Sequence, residues 1–239
     1  MAAKKQELVE IKPVQMKSTQ LTIVGDTPLI VHKWSFKALM EMLKDKTLEK
    51  KIPRNPVAEV AAALYWMDED RDPFPALPFT MMENGHELYS KMIKKYTEYT
   101  EEDFQRDAAG ARFGFPVTAI KKAAISSAFR NEMSKDKVSL QGAFFLNGEG
   151  EQQLVEIKSS TIPSIRQDSV KVGMGSADIR YRPHFEDWSI DLTVRFNANG
   201  KLSITDIFNI INLGGQTNGI GEWRIEKGGQ YGTFHVQAD

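Results

Sequence analysis

Between Gly214 and Gly232 the chain reads GGQTNGIGEWRIEKGGQYG, and this stretch holds seven of its seventeen glycines. Glycine tolerates positive φ and lets a second backbone come close. A segment this rich in it is neither a long helix nor a plain strand; it must turn repeatedly. What flanks it is regular. Ser203-Ile-Thr-Asp206 is a capping-box-like helix start, with Asp in the place of the usual Glu. Ile204, Ile207, Phe208 and Ile211 form one apolar face, and Gly214-Gly215 is expected to stop that helix. Gly232 to Val236 then reads as a closing strand.

The rest of the chain supplies partners for this strand–helix–loop–strand unit. Leu21 and Ile23, then Leu29-Ile30-Val31, read as strand around a turn at Gly25-Asp-Thr-Pro28. Phe36, Leu39, Met40 and Leu43 predict a helix capped by Ser35. Asn55-Pro56 starts another, because Asn caps and Pro at the first position loses no hydrogen bond. A helix over Glu87 to Tyr99 follows a proline-punctuated acidic stretch, so residues 46–110 read as a helical insertion. Pro116 opens a helix over Val117 to Met133 whose face of Ile120, Ala123, Ala124, Ser127 and Ala128 is small enough to sit close against a sheet. Gly142–Leu146, Leu154–Ile157, Asp178–Arg182 and Trp188–Phe196 predict strands, and Ser159–Ala177 a long loop or hairpin. In the last strand Ile190, Leu192, Val194 and Phe196 alternate with polar residues, so one face meets water. The order points to a single antiparallel α+β domain over 1–239 rather than a doubly wound parallel sheet.

With no cysteine, thiolate zinc sites, iron–sulfur clusters, disulfides and cysteine nucleophiles are excluded. Met1 to Glu10 lacks an apolar signal-peptide core, and no apolar run is long enough to span a membrane, so a cytoplasmic protein is expected. The net charge is −1, but it is unevenly spread: +3 over 1–37, −5 over 38–111, +4 over 112–182 and −3 over 183–239. The basic third stretch is either a groove or an uneven surface.

Within the glycine-rich segment, Trp223, Arg224, Lys227 and Tyr231 interleave aromatic and basic groups, a combination suited to a phosphodiester backbone with stacked bases. The competing reading is a tight helix-to-strand crossing. The segment lacks the Gly-Lys-Ser/Thr of a P-loop. Gly219-x-Gly221 follows a helix and has no third glycine at dinucleotide spacing, so no cofactor is expected.

The pattern Gly219-Ile-Gly221-Glu-Trp-Arg224 with Gly229-Gln-Tyr-Gly232 resembles the glycine-rich loop of the RAMP superfamily, the RNA-binding subunits of CRISPR effector complexes. Pro116, Thr118, Ile120, Lys121 and Ala123 match that family's helix start, while Lys122 stands where glycine is usual and Ile125 where arginine is frequent. Gly25-Asp-Thr-Pro-Leu-Ile-Val-His-Lys-Trp34, Arg180-Tyr-Arg-Pro-x-Phe-x-x-Trp188 and Gly219–Arg224 also resemble segments of tailed-bacteriophage and prophage proteins. The resemblance implies a ferredoxin-like core with helices on one sheet face, a thumb-like hairpin at 159–182, side-by-side assembly into oligomers or filaments, and backbone-directed binding of single-stranded DNA or RNA. Candidate contacts are Lys121, Lys122, Arg130, Arg166, Lys171, Arg180, Arg182, Gly219, Gly221, Trp223, Arg224 and Lys227. Lys121 and Lys122 are consecutive on a helix and point about 100° apart. Arg180 and Arg182 have an alternative as ion-pair partners of Asp178, Glu186 or Asp187.

No catalytic or metal-binding residue is expected. None of His32, His86, His184 and His235 has another histidine at metal-ligand spacing, and the acidic run Asp68-Glu-Asp-Arg-Asp72 reads as a solvated helix end. The leading expectation is therefore a binding protein. The alternatives are a protein that inhibits a host complex by mimicry and a metal-independent ribonuclease using His32 or His184.

Overall fold

The computed structural model describes residues 13–34, 52–75, 85–133, 136–172 and 175–237. In chain order these form β1 (Met16–Gly25), β2 (Leu29–Ile30), α1 (Pro56–Ala63), β3 (Tyr65–Trp66), α2 (Gly85–Glu98), α3 (Glu101–Ala108), β4 (Phe113–Pro116), α4 (Val117–Arg130), α5 (Lys137–Ala143), β5 (Phe144–Asn147), β6 (Leu154–Ile157), β7 (Ser164–Val172), β8 (Ser176–Phe185), β9 (Ser189–Asn197), α6 (Ile204–Thr217) and β10 (Phe234–Val236).

The central sheet has the strand order β10-β1-β9-β5, all antiparallel. Taking β1, α4, β5, β9, α6 and β10 in turn gives the β-α-β-β-α-β path of a ferredoxin-like core, inside a larger antiparallel α+β protein. The inward residues of β9 are Ile190, Leu192, Val194 and Phe196, all buried as their alternation predicts. Ile23 and Leu21 of β1 stand opposite Ile190 and Leu192. Ile120 of α4 and Ile207 and Ile211 of α6 are fully buried in the same core. Each such side chain contributes on the order of 1.5–3 kcal/mol.

Gly214 and Gly215 do not stop α6, which continues to Thr217. Both glycines are buried inside the helix. A Cβ on Gly214 would lie 2.7 Å from the Cα of Ala124 in α4, and one on Gly215 would lie 2.1 Å from the carbonyl oxygen of Phe234 in β10. The pair is there for close approach: α4 offers its small-residue face, and α6 packs onto it and onto β10 without side chains between. The helix ends instead at Asn218, whose Nδ2 donates to the carbonyl of Ala123 at 3.0 Å.

Other expectations need smaller corrections. Gly142 and Ala143 end a short helix, and β5 begins only at Phe144. α4 ends at Arg130 rather than Met133. α3, with a full capping box between Thr100 and Asp103, was not anticipated, and neither were β3 and β4. The interval 46–110 holds α1, α2 and α3 but also β3, which joins β4 and β6 in a second sheet. β2 leaves β1 altogether and pairs with β8. The helix expected after Ser35 lies outside the described residues.

The long hairpin is present but starts and ends later than the expected 159–182: its strands run from Ser164 to Phe185, β7 and β8 pair from Ser164↔His184 to Val172↔Ser176, and with β2 they make a third sheet. The pleat sorts its residues. Arg166, Asp168, Arg180, Arg182 and His184 share one face, and Ile165, Gln167, Ser169, Lys171, Ile179 and Tyr181 share the other.

Candidate functional site at the glycine-rich loop

After Asn218 the chain turns on Gly219 (φ 67°) and Gly221 (φ 78°), places Trp223 at φ 51°, and turns again on Gly228 (φ 80°) and Gly232 (φ 66°). Most of these glycines face protein backbone. A Cβ on Gly221 would lie 2.5 Å from the carbonyl oxygen of Ile30, and one on Gly232 would lie 1.8 Å from that of Ile220. Gly219 and Gly221 are therefore folding requirements, and the amides that follow each are already committed within the fold: Ile220 N–H donates to Gly232 O, and Glu222 N–H to Ile30 O, both at 2.9 Å.

The loop is stapled to α4 on one side and to the hairpin on the other. Toward α4, Arg130 donates to Asn218 Oδ1 at 3.0 Å and to Glu226 Oε1 at 2.8 Å. Arg224 donates to the other oxygen of Glu226 and to the carbonyl of Gly221. Burial would raise the Glu226 pKa, but the hydrogen bonds from Arg224 and Arg130 outweigh it and hold the carboxyl below its usual range. Toward the hairpin, the Arg166 guanidinium lies 4.5 Å from the Tyr231 ring centroid and donates to its hydroxyl at 2.9 Å. Asp168, 7% exposed, accepts from both Arg166 and Arg182.

Arg182 is 3% exposed and bridges Asp168 (3.2 Å) and Glu222 (3.7 Å). It is thus a buried ion-pair partner, though not of the acids expected, and it offers nothing to solvent. Arg180 lies 3.7 Å from Asp178, in keeping with the alternative foreseen for it. Glu222 also accepts from His32 Nδ1 at 3.2 Å; that hydrogen bond, with the charge of Arg182, keeps its carboxyl low against the opposing effect of burial.

A cleft of about 230 Å³ opens where these elements meet. Tyr65, Phe115, Ala119 and Ile220 give it an apolar lining; His32, Lys122, Glu222, Arg224 and Glu226 give it polar walls. Lys122 is exposed and has no ion-pair partner among the described residues. Lys121 diverges from it as the helical angle requires. Its ammonium lies 5.5 Å from the Phe144 ring and 4.7 Å from the Phe145 ring at the β5 edge, and burial pushes its pKa down. Trp223, 37% exposed, and Lys227 stand on the outer side of the loop. Lys171 sits on the outward face of the hairpin, apart from the arginines.

The structure therefore gathers Lys122, Arg130, Arg166, Arg182 and Arg224 with the loop, and leaves Lys121 and Lys171 elsewhere. Sequence reasoning missed Glu222, Glu226 and Asp168. Two of them flank Arg224 within the glycine-rich segment, and the third alternates with Arg166 along a strand. Among the other acids, Asp68 accepts from the Arg112 amide and guanidinium, and Asp72 pairs with Lys33. Among the described residues no three His, Asp or Glu converge as metal ligands, and no helix is long and apolar enough to cross a membrane. His184 is kept below the usual histidine range by burial, while His235 contacts Asp26 at 2.6 Å. The His86 side chain is outside the described ones.

No protein-family model and no curated protein matches the chain. Among solved structures, the crystal structure of Cmr6 from Pyrococcus furiosus is similar over 94% of this chain and 100% of that one, at 11% identity and a TM-score of 0.31.

Proposed function

We propose that the chain binds single-stranded nucleic acid through its backbone, using the surface where the glycine-rich loop, α4 and the β7–β8 hairpin meet. One observation carries this reading. Five cationic side chains converge there against three carboxylates, Asp168, Glu222 and Glu226, on a chain whose overall charge is −1. Lys122, in the cleft, and Lys227, on the loop, remain without carboxylate partners among the described residues, and the Trp223 indole of the same loop is exposed as a stacking surface. Ligand phosphates would engage Lys122, Lys227 and the solvent side of Arg130, while Arg166, Arg182 and Arg224 act as positioning residues. Arg180 and Lys171 lie on the hairpin beyond this surface.

Self-association belongs to the same proposal. β7 pairs only with β8 among the described residues, so its outer edge presents unpaired backbone groups, a ready template for a second chain.

The test is fluorescence anisotropy with labelled single-stranded DNA, single-stranded RNA and duplex, on wild type and on Lys122→Ala, Lys227→Ala and Trp223→Ala. The reading predicts weaker binding of single strands in all three variants, with Trp223→Ala about tenfold weaker. Equal affinity in all four proteins contradicts it. Light scattering on the same samples reads assembly.

A second reading draws on the His32–Glu222 pair beside Lys122 in the cleft: general acid–base chemistry on RNA. It predicts RNA cleavage that is abolished by His32→Ala and unaffected by chelators.

A further inference from the structure

The central sheet has a second face, and its composition is readable row by row. α4 and α6 cover the side carrying Leu21, Ile23, Ile190, Leu192, Val194 and Phe196. The register places Ser18, Arg195 and Phe145 in one row across β1, β9 and β5 on the opposite side. The next row holds Gln20, Thr193 and Asn147. Met16 stands beyond Arg195 opposite Asn197. Phe145 is 46% exposed and Met16 44% exposed, and Arg195 is exposed too.

This face is not an ordinary solvated one. A large aromatic ring is left in water on an edge strand, while its neighbours Phe144 and Leu146 are buried. Cations flank it on two sides: Lys121 reaches round the β5 edge to within 4.7 Å of the ring centroid, and Arg195 is its cross-strand partner. Arg195 makes no ion pair among the described residues, unlike the arginines at the glycine-rich loop. The two rows around Phe145 contain no carboxylate. The nearest acid along β9 is Asp191, already bound by Lys158 and Thr22. An exposed ring, two cations and a row of amides and hydroxyls form a surface complementary to an unpaired base and its phosphate, with the ring for stacking, the cations for the backbone and Gln20, Thr193 and Asn147 for base edges.

We infer that this open sheet face, centred on Phe145 and Arg195, is a second contact surface for single-stranded nucleic acid, separate from the glycine-rich loop. It shares with the proposed function only the class of ligand. A strand bound here stacks one base on Phe145 and sets a phosphate against Arg195 and Lys121.

The experiment measures anisotropy of labelled oligo(dT) and oligo(U) across a salt series with Phe145→Ala, Phe145→Tyr and Arg195→Gln, and with Lys122→Ala on α4 and Lys227→Ala on the loop as the loop-surface variants. The inference predicts that Phe145→Ala raises Kd about tenfold and that Phe145→Tyr stays within about twofold, because the tyrosine ring still stacks. Arg195→Gln should flatten the log Kd against log salt slope by about 0.7, the loss of one phosphate contact on a single strand. Wild-type Kd and slope in both Phe145→Ala and Arg195→Gln overturn the inference, and if the loop variants weaken binding in that case the loop reading stands alone. Weakening by the sheet variants with unchanged loop variants supports the inference and removes the loop reading. A wild-type protein that binds neither oligonucleotide removes both.

Discussion

Arg182 and Arg195 both sit on long strands, and the fold treats them in opposite ways. Arg182 is 3% exposed, fixed between Asp168 and Glu222, with its Nε lacking a hydrogen-bond partner. Arg195 stands in solvent on the open sheet face with no ion pair among the described residues. Only one of them was singled out from the sequence, and it is the one the structure consumes internally. The difference comes from strand pairing. The β7–β8 register turns Arg166, Asp168 and Arg182 toward the loop, where the two arginines share one carboxylate. On β9, position 195 points away from the helices. A basic residue becomes available to a ligand when the register withholds a carboxylate from it, and local charge counts carry no information about that.

The comparison can be broken most forcefully at Asp168. Asp168→Ala strands Arg182, a nearly buried cation whose remaining acid, Glu222, is 3.7 Å away. The expected loss is about 3 kcal/mol of unfolding free energy in a urea titration. A loss below about 1 kcal/mol would mean that the network is not structural. Next is Gly232→Ala, where a Cβ meets the carbonyl of Ile220 at a residue with φ 66°. Crowding and the positive φ together should cost about 2–3 kcal/mol by the same titration.

The acid limb sharpens the comparison further. The folded pKa of His184 is depressed from 6.5 by burial, so its contribution to stability is present above about pH 6.5 and is lost as pH falls through the folded value. Glu222 and Glu226 are held below 4.5 by hydrogen bonds, Glu222 from His32 and Glu226 from Arg224 and Arg130, so their contribution is present above that value and is lost only in stronger acid. Stability against pH should therefore fall in two stages. His184→Gln should flatten the first and Glu222→Gln the second; a variant curve parallel to wild type contradicts the corresponding assignment. The smallest effect belongs to the open face. Arg195→Gln should change stability by no more than about 0.5 kcal/mol, and a larger loss would show that Arg195 is a packing residue.

Much of the core was legible because its signals are local. Alternation from Ile190 to Phe196, the Ser203-x-x-Asp206 cap and the small-residue face of α4 are each set by a few neighbouring residues. Gly214-Gly215 misled for the opposite reason. A glycine pair near a helix end looks the same whether it terminates the helix or admits Ala124 and Phe234, and the distinction lies 90 residues away in one case and across the loop in the other. Phe145 was hidden inside the run Phe144-Phe-Leu146, where three apolar neighbours mask a strand's alternation until its pairing with β9 is known. The carboxylates of the site were invisible because a search for phosphate contacts weighs cations and passes over the acids that hold them.

Binding to single strands is the central claim, and the most direct measurement is a salt titration of wild-type protein against labelled single-stranded DNA and RNA with duplex as the control. The account predicts that single strands bind in preference to duplex and that log Kd rises linearly with log salt, with a slope of at least about 1.4, equivalent to two phosphate contacts. Undetectable binding at low salt, or a Kd that does not move with salt, would contradict it.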